Sequence, residues 1–178
     1  SGFNHIQHDA PILLTTADHA LLTPTMLQHF LRASLAADSD ATVGLVRYED
    51  IIAAFPGSRR TVTRLRDGGF CGCNLFTFNP RGRKLVRFWQ QAEDLRKHPW
   101  QLIAQLLGPR IVLSYLFGLL TLEQALRKVS EKSDVNIQAV MLPDPQAGVD
   151  VDKVEDLLLA ESILASPSLS LRNGRLSV

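Results

Sequence analysis

The pattern of apolar and polar residues along this chain changes repeatedly between the period of a strand and the period of a helix. Short apolar or alternating runs, which are typical of strands, lie at 12–16, 41–46, 60–66, 70–78 and 135–142. Apolar residues at helical spacing recur between and after these runs, at 24–37, 48–55, 81–97, 100–107, 112–119, 122–130 and 152–164. This order predicts an α/β fold with a mixed, mostly parallel sheet flanked by helices. The run at 12–16 does not alternate, which is typical of a central strand.

Short local signals predict where several elements begin. Thr23 followed by Pro24 is a helix start, because a threonine side chain can accept an orphan N–H and proline suits the first helical position. Thr121 with Gln124 three residues later predicts a capping box. The Asp-Gly-Gly sequence at 67–69 predicts a tight turn, so the runs on either side of it should form a hairpin.

Composition places the chain among ordinary soluble domains. It has 178 residues, of which 46% are hydrophobic and 21% are charged, enough for one domain with its own core. The net charge of +1 does not favour a general nucleic-acid binder, so no nucleic-acid partner is expected. Cys71 and Cys73 are too few for a disulfide framework or a zinc site. We therefore expect reduced, half-buried thiols in a cytoplasmic protein, with Cys73 as a small buried packing residue.

One stretch, 102–120, is nearly long and apolar enough to span a membrane. Gly108, Pro109 and Arg110 interrupt its centre, and a Pro-Arg pair at bilayer depth breaks the helix and is costly. Two short helices packed in the core are therefore the favoured prediction. The less favoured alternative is contact with a membrane surface.

Two acidic segments near opposite ends of the chain are the main candidates for chemistry. Asp18 follows an apolar strand and precedes a helix start, and ligands of open α/β sheets bind beyond the carboxyl ends of the strands. Asp150 and Asp152 share one face of an extended segment before the last predicted helix. Such carboxylates suit a divalent metal that holds phosphate oxygens. The alternative is structural, with Asp18 capping a turn and Asp152 capping the helix that follows.

Four arginines lie close together in the sequence between the second predicted helix and the hairpin turn. Alternation over 60–66 places Arg60, Arg64 and Arg66 on one face of a strand, which predicts a solvated face. The alternative is that these residues and Arg59 gather around an anionic acceptor.

Three segments resemble a known family. Residues 15–24, TTADHALLTP, resemble the metal-binding Asp segment of nucleotidyltransferases of the molybdenum-cofactor guanylyltransferase-like (MobA-like) class. Residues 149–161, VDVDKVEDLLLAE, resemble the closing signature of the same class. Residues 72–76, GCNLF, resemble its Gly-Asn strand, which flanks the substrate. The order and the spacing of the three segments agree with the family.

The resemblance implies a fold similar to that of nucleotide-diphospho-sugar transferases. It also implies transfer of a nucleoside monophosphate from an NTP to a phosphorylated small-molecule acceptor, with Mg²⁺ and release of pyrophosphate. Catalysis is assigned to Asp18 and Asp152, and the metal site to Asp18, Asp152 and Asp150. The remaining residues assigned to substrate binding are Gly72, Asn74, His19 and Lys153. For His19 and Asn74 the alternative is a structural role, at a strand-to-loop junction and in a turn or cross-strand bond.

Families of this kind begin with a strand and a Gly-rich loop, followed by an Arg and a Lys, and the sequence contains no such segment. We therefore expect the C-terminal part of a nucleotidyltransferase. Residues 1–165 would form the partial domain, with a helical insertion at about 81–130, and residues 166–178 a flexible tail. This part alone is expected to be inactive, and its exposed sheet edge should favour homo-oligomers.

Two rival functions use the same features. A metal-dependent glycosyltransferase would bind a sugar nucleotide through Asp18 and release a nucleoside diphosphate. A non-catalytic binding or assembly module would retain the fold and use the apolar helices at 81–130 as its contact surface.

Overall fold

The computed structural model describes residues 10–85 and 108–165, and the structural statements below concern these residues. The strands are β1 (Ile12–Thr15), β2 (Ala41–Arg47), β3 (Thr63–Leu65), β4 (Gly68–Phe78) and β5 (Ile137–Met141). The helices are α1 (Pro24–Ala36), α2 (Tyr48–Ala54), α3 (Pro109–Leu116), α4 (Leu122–Ser133) and α5 (Val154–Ala165). A 3₁₀ turn, Pro145–Gly148, precedes the second acidic segment.

The five described strands form one mixed sheet in the order β1-β4-β2-β5, with β3 paired to the beginning of β4. β4 runs antiparallel to β1, β2 and β3, whereas β2 and β5 are parallel. Four strands therefore share one direction and a single strand opposes them. This arrangement confirms the predicted α/β class with a mixed sheet and flanking helices.

β1 does not have the central position that its unbroken apolar run predicted. Within the described residues it pairs with β4 alone and forms one edge of the sheet, and β5 forms the other edge. Leu14 is 38% exposed, so this edge strand is only partly covered. An apolar run without alternation indicates that both faces of a strand can be covered, but it does not indicate whether the strand pairs with one neighbour or with two. The predicted self-association through an exposed edge stays a prediction.

A gap in the pairing of β4 creates space at one side of the sheet. β3 pairs with Gly68–Phe70, and β1 pairs with Leu75–Phe78 on the same side. Residues 71–74 of β4 therefore have no described strand beside them on that side. On the opposite side β2 follows β4 past this gap, with a register shift between Val43 and Leu45. The gap therefore lies between Thr15, the last residue of β1, and Thr63, the first residue of β3.

The main core lies between the sheet and helices α1 and α2. Phe30 is fully buried and Met26 is 1% exposed, and they pack with Ile51, Leu75 and Cys73. Cys73 thus has the role of a small buried residue that the sequence predicted. The predicted apolar face of α1 is shorter than expected, because Leu35 is 73% exposed near the end of the helix.

The local start signals are confirmed. The Thr23 side chain accepts a hydrogen bond from the Met26 N–H, with Pro24 in the first turn of α1. Both halves of the capping box of α4 are present, since Thr121 accepts from the Gln124 N–H and Gln124 accepts from the Thr121 N–H. The predicted hairpin also forms, between β3 and β4, but its turn is at Arg66 and Asp67, and Gly68 and Gly69 belong to β4.

Several predicted elements differ in length or fall outside the described residues. β3 covers Thr63–Leu65 rather than 60–66, and Arg60, which lies outside the strand, contacts the second acidic segment. The predicted helix at 100–107 lies outside the described residues, and so do most of the helix at 81–97 and residues 86–107 of the insertion at 81–130. Every helix in the described ranges is too short or too polar to cross a lipid bilayer.

Candidate functional site

The two acidic segments meet at one end of the sheet. Asp18 lies three residues after the end of β1, and carboxylate oxygens of Asp18, Asp150 and Asp152 all lie within 4.8 Å of one another. The backbone fixes this approach, because the Val151 N–H donates a hydrogen bond of 3.1 Å to the Asp18 carbonyl. The Thr16 hydroxyl also donates to the Asp18 carboxylate. The structure therefore brings together the three residues that the sequence assigned to a metal.

Asp150 is held on both oxygens. Arg60 Nη1 donates to Asp150 Oδ1 at 2.8 Å and to the Asp150 carbonyl at 2.8 Å. The amide Nδ2 of Asn74 donates to the other carboxylate oxygen at 3.3 Å. Asn74 lies in the unpaired part of β4 and has a φ of 51°, a left-handed conformation that asparagine tolerates better than most residues. Asn74 thus contacts the acidic cluster as well as shaping the strand.

Asp156 caps the helix that follows the acidic segment. Its Oδ2 accepts the backbone N–H of Asp152 at 3.3 Å and that of Lys153 at 3.1 Å. Its other oxygen, Oδ1, lies 2.8 Å from Arg60 Nη2. The capping role that was the structural alternative for Asp152 is therefore carried out by Asp156. The carboxylate of Asp152 instead belongs to the acidic cluster and is exposed.

An open groove of about 850 Å³ adjoins the cluster. Of the residues predicted at the site it is lined by Gly72, Asn74, Asp150, Asp152 and Lys153. The other lining residues come from the loop after α2, from β3 and β4, and from the start of α5: Pro56, Gly57, Ser58, Arg59, Arg60, Thr61, Thr63, Cys71, Gly148, Glu155, Asp156 and Leu159. Its volume is in the range of small-molecule sites.

His19 does not line this groove. It is 8% exposed, and neither ring nitrogen has a hydrogen-bond partner among the described residues. Burial lowers the pKa of His19, and the backbone of Ala147 and the carboxylates of Asp150 and Asp18 oppose this only in part. This position agrees with the structural alternative that the sequence left open for His19.

The arginines do not form one solvated strand face or one cluster. The side chain of Arg60 is 5% exposed and lies between two carboxylates. Arg64 stacks over the Tyr48 ring at 5.4 Å from its centroid. Arg59 is exposed at the wall of the groove.

Sequence reasoning missed Asp156, and it considered Arg60 only as an alternative contact of an anionic acceptor, not as a partner of Asp150 and Asp156. Asp156 carried a usable signal, because an acid three residues after Lys153 is at the position from which a side chain accepts the helix-start N–H groups. Arg60 carried no local signal. Its partner Asp150 is 90 positions away in the sequence.

The ligand set suits a hard divalent cation. Three carboxylates offer oxygen atoms, the donors that Mg²⁺ and Mn²⁺ prefer. Arg60 offsets part of the negative charge, and the oxygens of Asp18 and Asp152 are not engaged by it. The residues present therefore fit an Mg²⁺ ion.

The described fold is similar to the solved structure of a hypothetical transferase from Thermus thermophilus, with a TM-score of 0.77 and 32% sequence identity. The similarity covers 88% of this chain and 66% of that protein, so the chain spans slightly less than two thirds of its length. No family model and no curated protein matches the chain significantly. The similarity agrees with the predicted α/β fold, whereas the MobA-like assignment stays a prediction.

Proposed function

We propose that the protein is a nucleotidyltransferase that transfers a nucleoside monophosphate from an NTP to a phosphorylated small-molecule acceptor, with Mg²⁺. The observation that carries this proposal is the convergence of Asp18, Asp150 and Asp152 beside a groove at the ends of the strands. Open α/β sheets bind their ligands at this end. The similarity to a hypothetical transferase supports the broader class, to which nucleotidyl transfer belongs.

In the proposed reaction an acceptor phosphate oxygen attacks the α-phosphorus of the NTP. The bond from that phosphorus to the bridging oxygen of the β-phosphate breaks, and pyrophosphate leaves. Asp18 and Asp152 would hold Mg²⁺ together with Asp150, and the ion supplies positive charge to phosphate oxygens. Asn74 orients Asp150, and Lys153 lines the groove as a cation available to an acceptor phosphate. Positioning and charge carry such chemistry, so no protein nucleophile is required.

The neighbouring structure is described only as a transferase, so a glycosyltransferase remains the second candidate. It would use the same carboxylates to hold a metal and a sugar nucleotide. The two reactions differ in their products, because nucleotidyl transfer releases pyrophosphate and sugar transfer releases a nucleoside diphosphate.

The test is an assay of the full-length protein with Mg²⁺, each of the four NTPs and a panel of phosphorylated acceptors. We expect pyrophosphate release with one NTP and its loss in Asp18→Asn, which removes a ligand charge and keeps an acceptor for Thr16. Glu161→Gln is the matched control, because Glu161 is an exposed acid on α5 that does not line the groove.

Equal release by the wild type and Asp18→Asn would reject the assigned role of the cluster. Release of a nucleoside diphosphate from sugar nucleotides would favour the glycosyltransferase. No turnover of either kind by the folded full-length protein would favour the non-catalytic binding module.

A further inference from the structure

Arg60 joins the loop after α2 to the acidic segment before α5. Its Nη1 binds the Asp150 side chain and carbonyl, both at 2.8 Å, and its Nη2 lies 2.8 Å from Asp156 Oδ1. Its Nε donates to the Ser58 hydroxyl at 3.2 Å. The side chain is 5% exposed, so the guanidinium is almost completely removed from water.

Such burial of an arginine is costly unless its charge is matched by well-placed partners. The partners here lie at the two ends of one short segment, from Asp150 to Asp156. Asp150 offers an oxygen to the metal cluster, and Asp156 accepts the N–H groups of Asp152 and Lys153. The hydrogen bonds of the guanidinium to Asp150 and its ion pair with Asp156 therefore hold both ends of the segment relative to the loop that carries Arg60.

The segment is also fixed from its other side. Asn74 donates to Asp150, and the Val151 N–H donates to the Asp18 carbonyl. These bonds position the beginning of the segment. Arg60 connects the Asp150 side chain at this beginning with the Asp156 side chain at the start of α5.

We propose that Arg60 is a positioning residue for the cation site. Arg60 holds Asp150 and the start of α5 so that Asp150 and Asp152 face Asp18. The inference rests on the cation site of the proposed function and adds a residue that acts on the metal through its ligands. Residues that orient metal ligands in this way typically change metal affinity about 10- to 100-fold when they are replaced.

The sign of the effect separates positioning from simple electrostatics. A positive charge beside a cation site repels the metal, so removal of a bystander arginine should leave Mn²⁺ binding unchanged or make it tighter. Removal of a positioning arginine should weaken binding, although the same charge is lost. Arg59→Met is the matched control, because Arg59 is the adjacent residue, carries the same charge and is exposed at the same groove.

The experiment measures the Kd for Mn²⁺ from the electron paramagnetic resonance signal of free Mn²⁺, with the full-length wild type, Arg60→Met, Arg60→Lys and Arg59→Met. Circular dichroism and thermal melts establish that each variant is folded. Arg60→Lys keeps the charge, and it is included because loss of a buried cation from two carboxylates also reduces stability. A lysine cannot reproduce the planar contacts with both Asp150 and Asp156.

We expect Kd to rise about 10-fold or more in both Arg60 variants and to stay equal or fall in Arg59→Met. Wild-type affinity in folded Arg60→Lys would overturn the inference while leaving the cation site in place. Tighter binding in Arg60→Met would assign Arg60 to simple repulsion and also overturn it. Absence of Mn²⁺ binding by the wild type would reject the cation site itself, and the inference with it.

Discussion

Burial is the main cause of a raised thiol pKa at Cys73. The residue is 1% exposed inside β4, and this burial, with a smaller effect of Cys71, raises the pKa of its thiol to about 12. Burial also raises the pKa of Cys71. Both thiols are protonated near neutral pH, and a protonated thiol is a poor nucleophile. The two cysteines are therefore packing residues, which agrees with a reaction that needs no protein nucleophile.

The raised pKa of Cys73 predicts a loss of stability in alkali. The unfolded thiol ionises near its ordinary value of 9.0, whereas the folded thiol resists ionisation until about 12. A rise in pH above 9 therefore favours the unfolded chain, by about 1 kcal/mol at pH 10. Urea unfolding at pH 8 and pH 10 checks this. We expect a smaller pH-dependent loss in Cys73→Ala than in the wild type, and equal losses would contradict the assignment.

The turn after β4 depends on the absence of a side chain at Gly82. An added Cβ there would lie 2.0 Å from the carbonyl oxygen of Asp40, whose backbone cannot move cheaply. Asn79 donates to the carbonyl and carboxylate of Asp40 and accepts from the Gly82 N–H at 2.8 Å. The turn and the start of β2 are therefore packed at backbone distance.

We predict that Gly82→Ala destabilises the protein by about 1–3 kcal/mol, because the clash forces the backbone to shift. Gly72→Ala is the matched control, since a Cβ at Gly72 would meet no atom within 4 Å. Denaturant unfolding of both variants gives the comparison. Equal free energies of unfolding for the two variants would contradict this prediction, because the backbone of the turn would then accept the added Cβ without loss of stability.

The capping box of α4 gives a second prediction at the level of one element. Thr121→Ala removes the acceptor for the Gln124 N–H, and loss of such a cap costs about 0.5–2 kcal/mol. Thr121→Ser keeps a hydroxyl and should retain most of the stability. Thermal melts of the two variants check this, and an equal loss in both would assign the effect to the threonine methyl group.

For the whole molecule, the proposed cation site should couple metal binding to folding stability. Asp18 and Asp150–Asp152 come from distant parts of the chain, and their carboxylates repel one another when no cation lies between them. We predict that Asp18→Asn raises the melting temperature in metal-free buffer. Mn²⁺ should stabilise the wild type by about 2.7 kcal/mol at 100 times its Kd, and the variant far less. A variant that melts below the wild type without metal would contradict this account of repulsion.

Self-association through a sheet edge also belongs to this scale. β1 and β5 are the edges of the described sheet, and unpaired strand edges favour pairing with another chain. Light scattering at increasing concentration tests the prediction, and a strictly monomeric species at high concentration would contradict it.

Local sequence signals predicted where elements begin better than they predicted which elements lie next to one another in the fold. Thr23 and Thr121 form the predicted caps, and the predicted hairpin forms within one residue of the expected turn, because the atoms involved lie within three or four residues of one another. The edge position of β1 and the shortened β3 were not predicted. Both depend on which strands and side chains meet after folding, and periodicity contains no information on that.

The sequence by itself determined the alternation of strands and helices, the caps, and the two acidic segments, because each of these depends on residues that are close together in the sequence. Tertiary structure alone decided that Asp18 meets Asp150 and Asp152, that His19 is buried beside the groove, and that Arg60 binds the acidic segment. The physical reason is distance along the chain. Contacts between residues 90 positions apart form only when the sheet brings their loops to the same end.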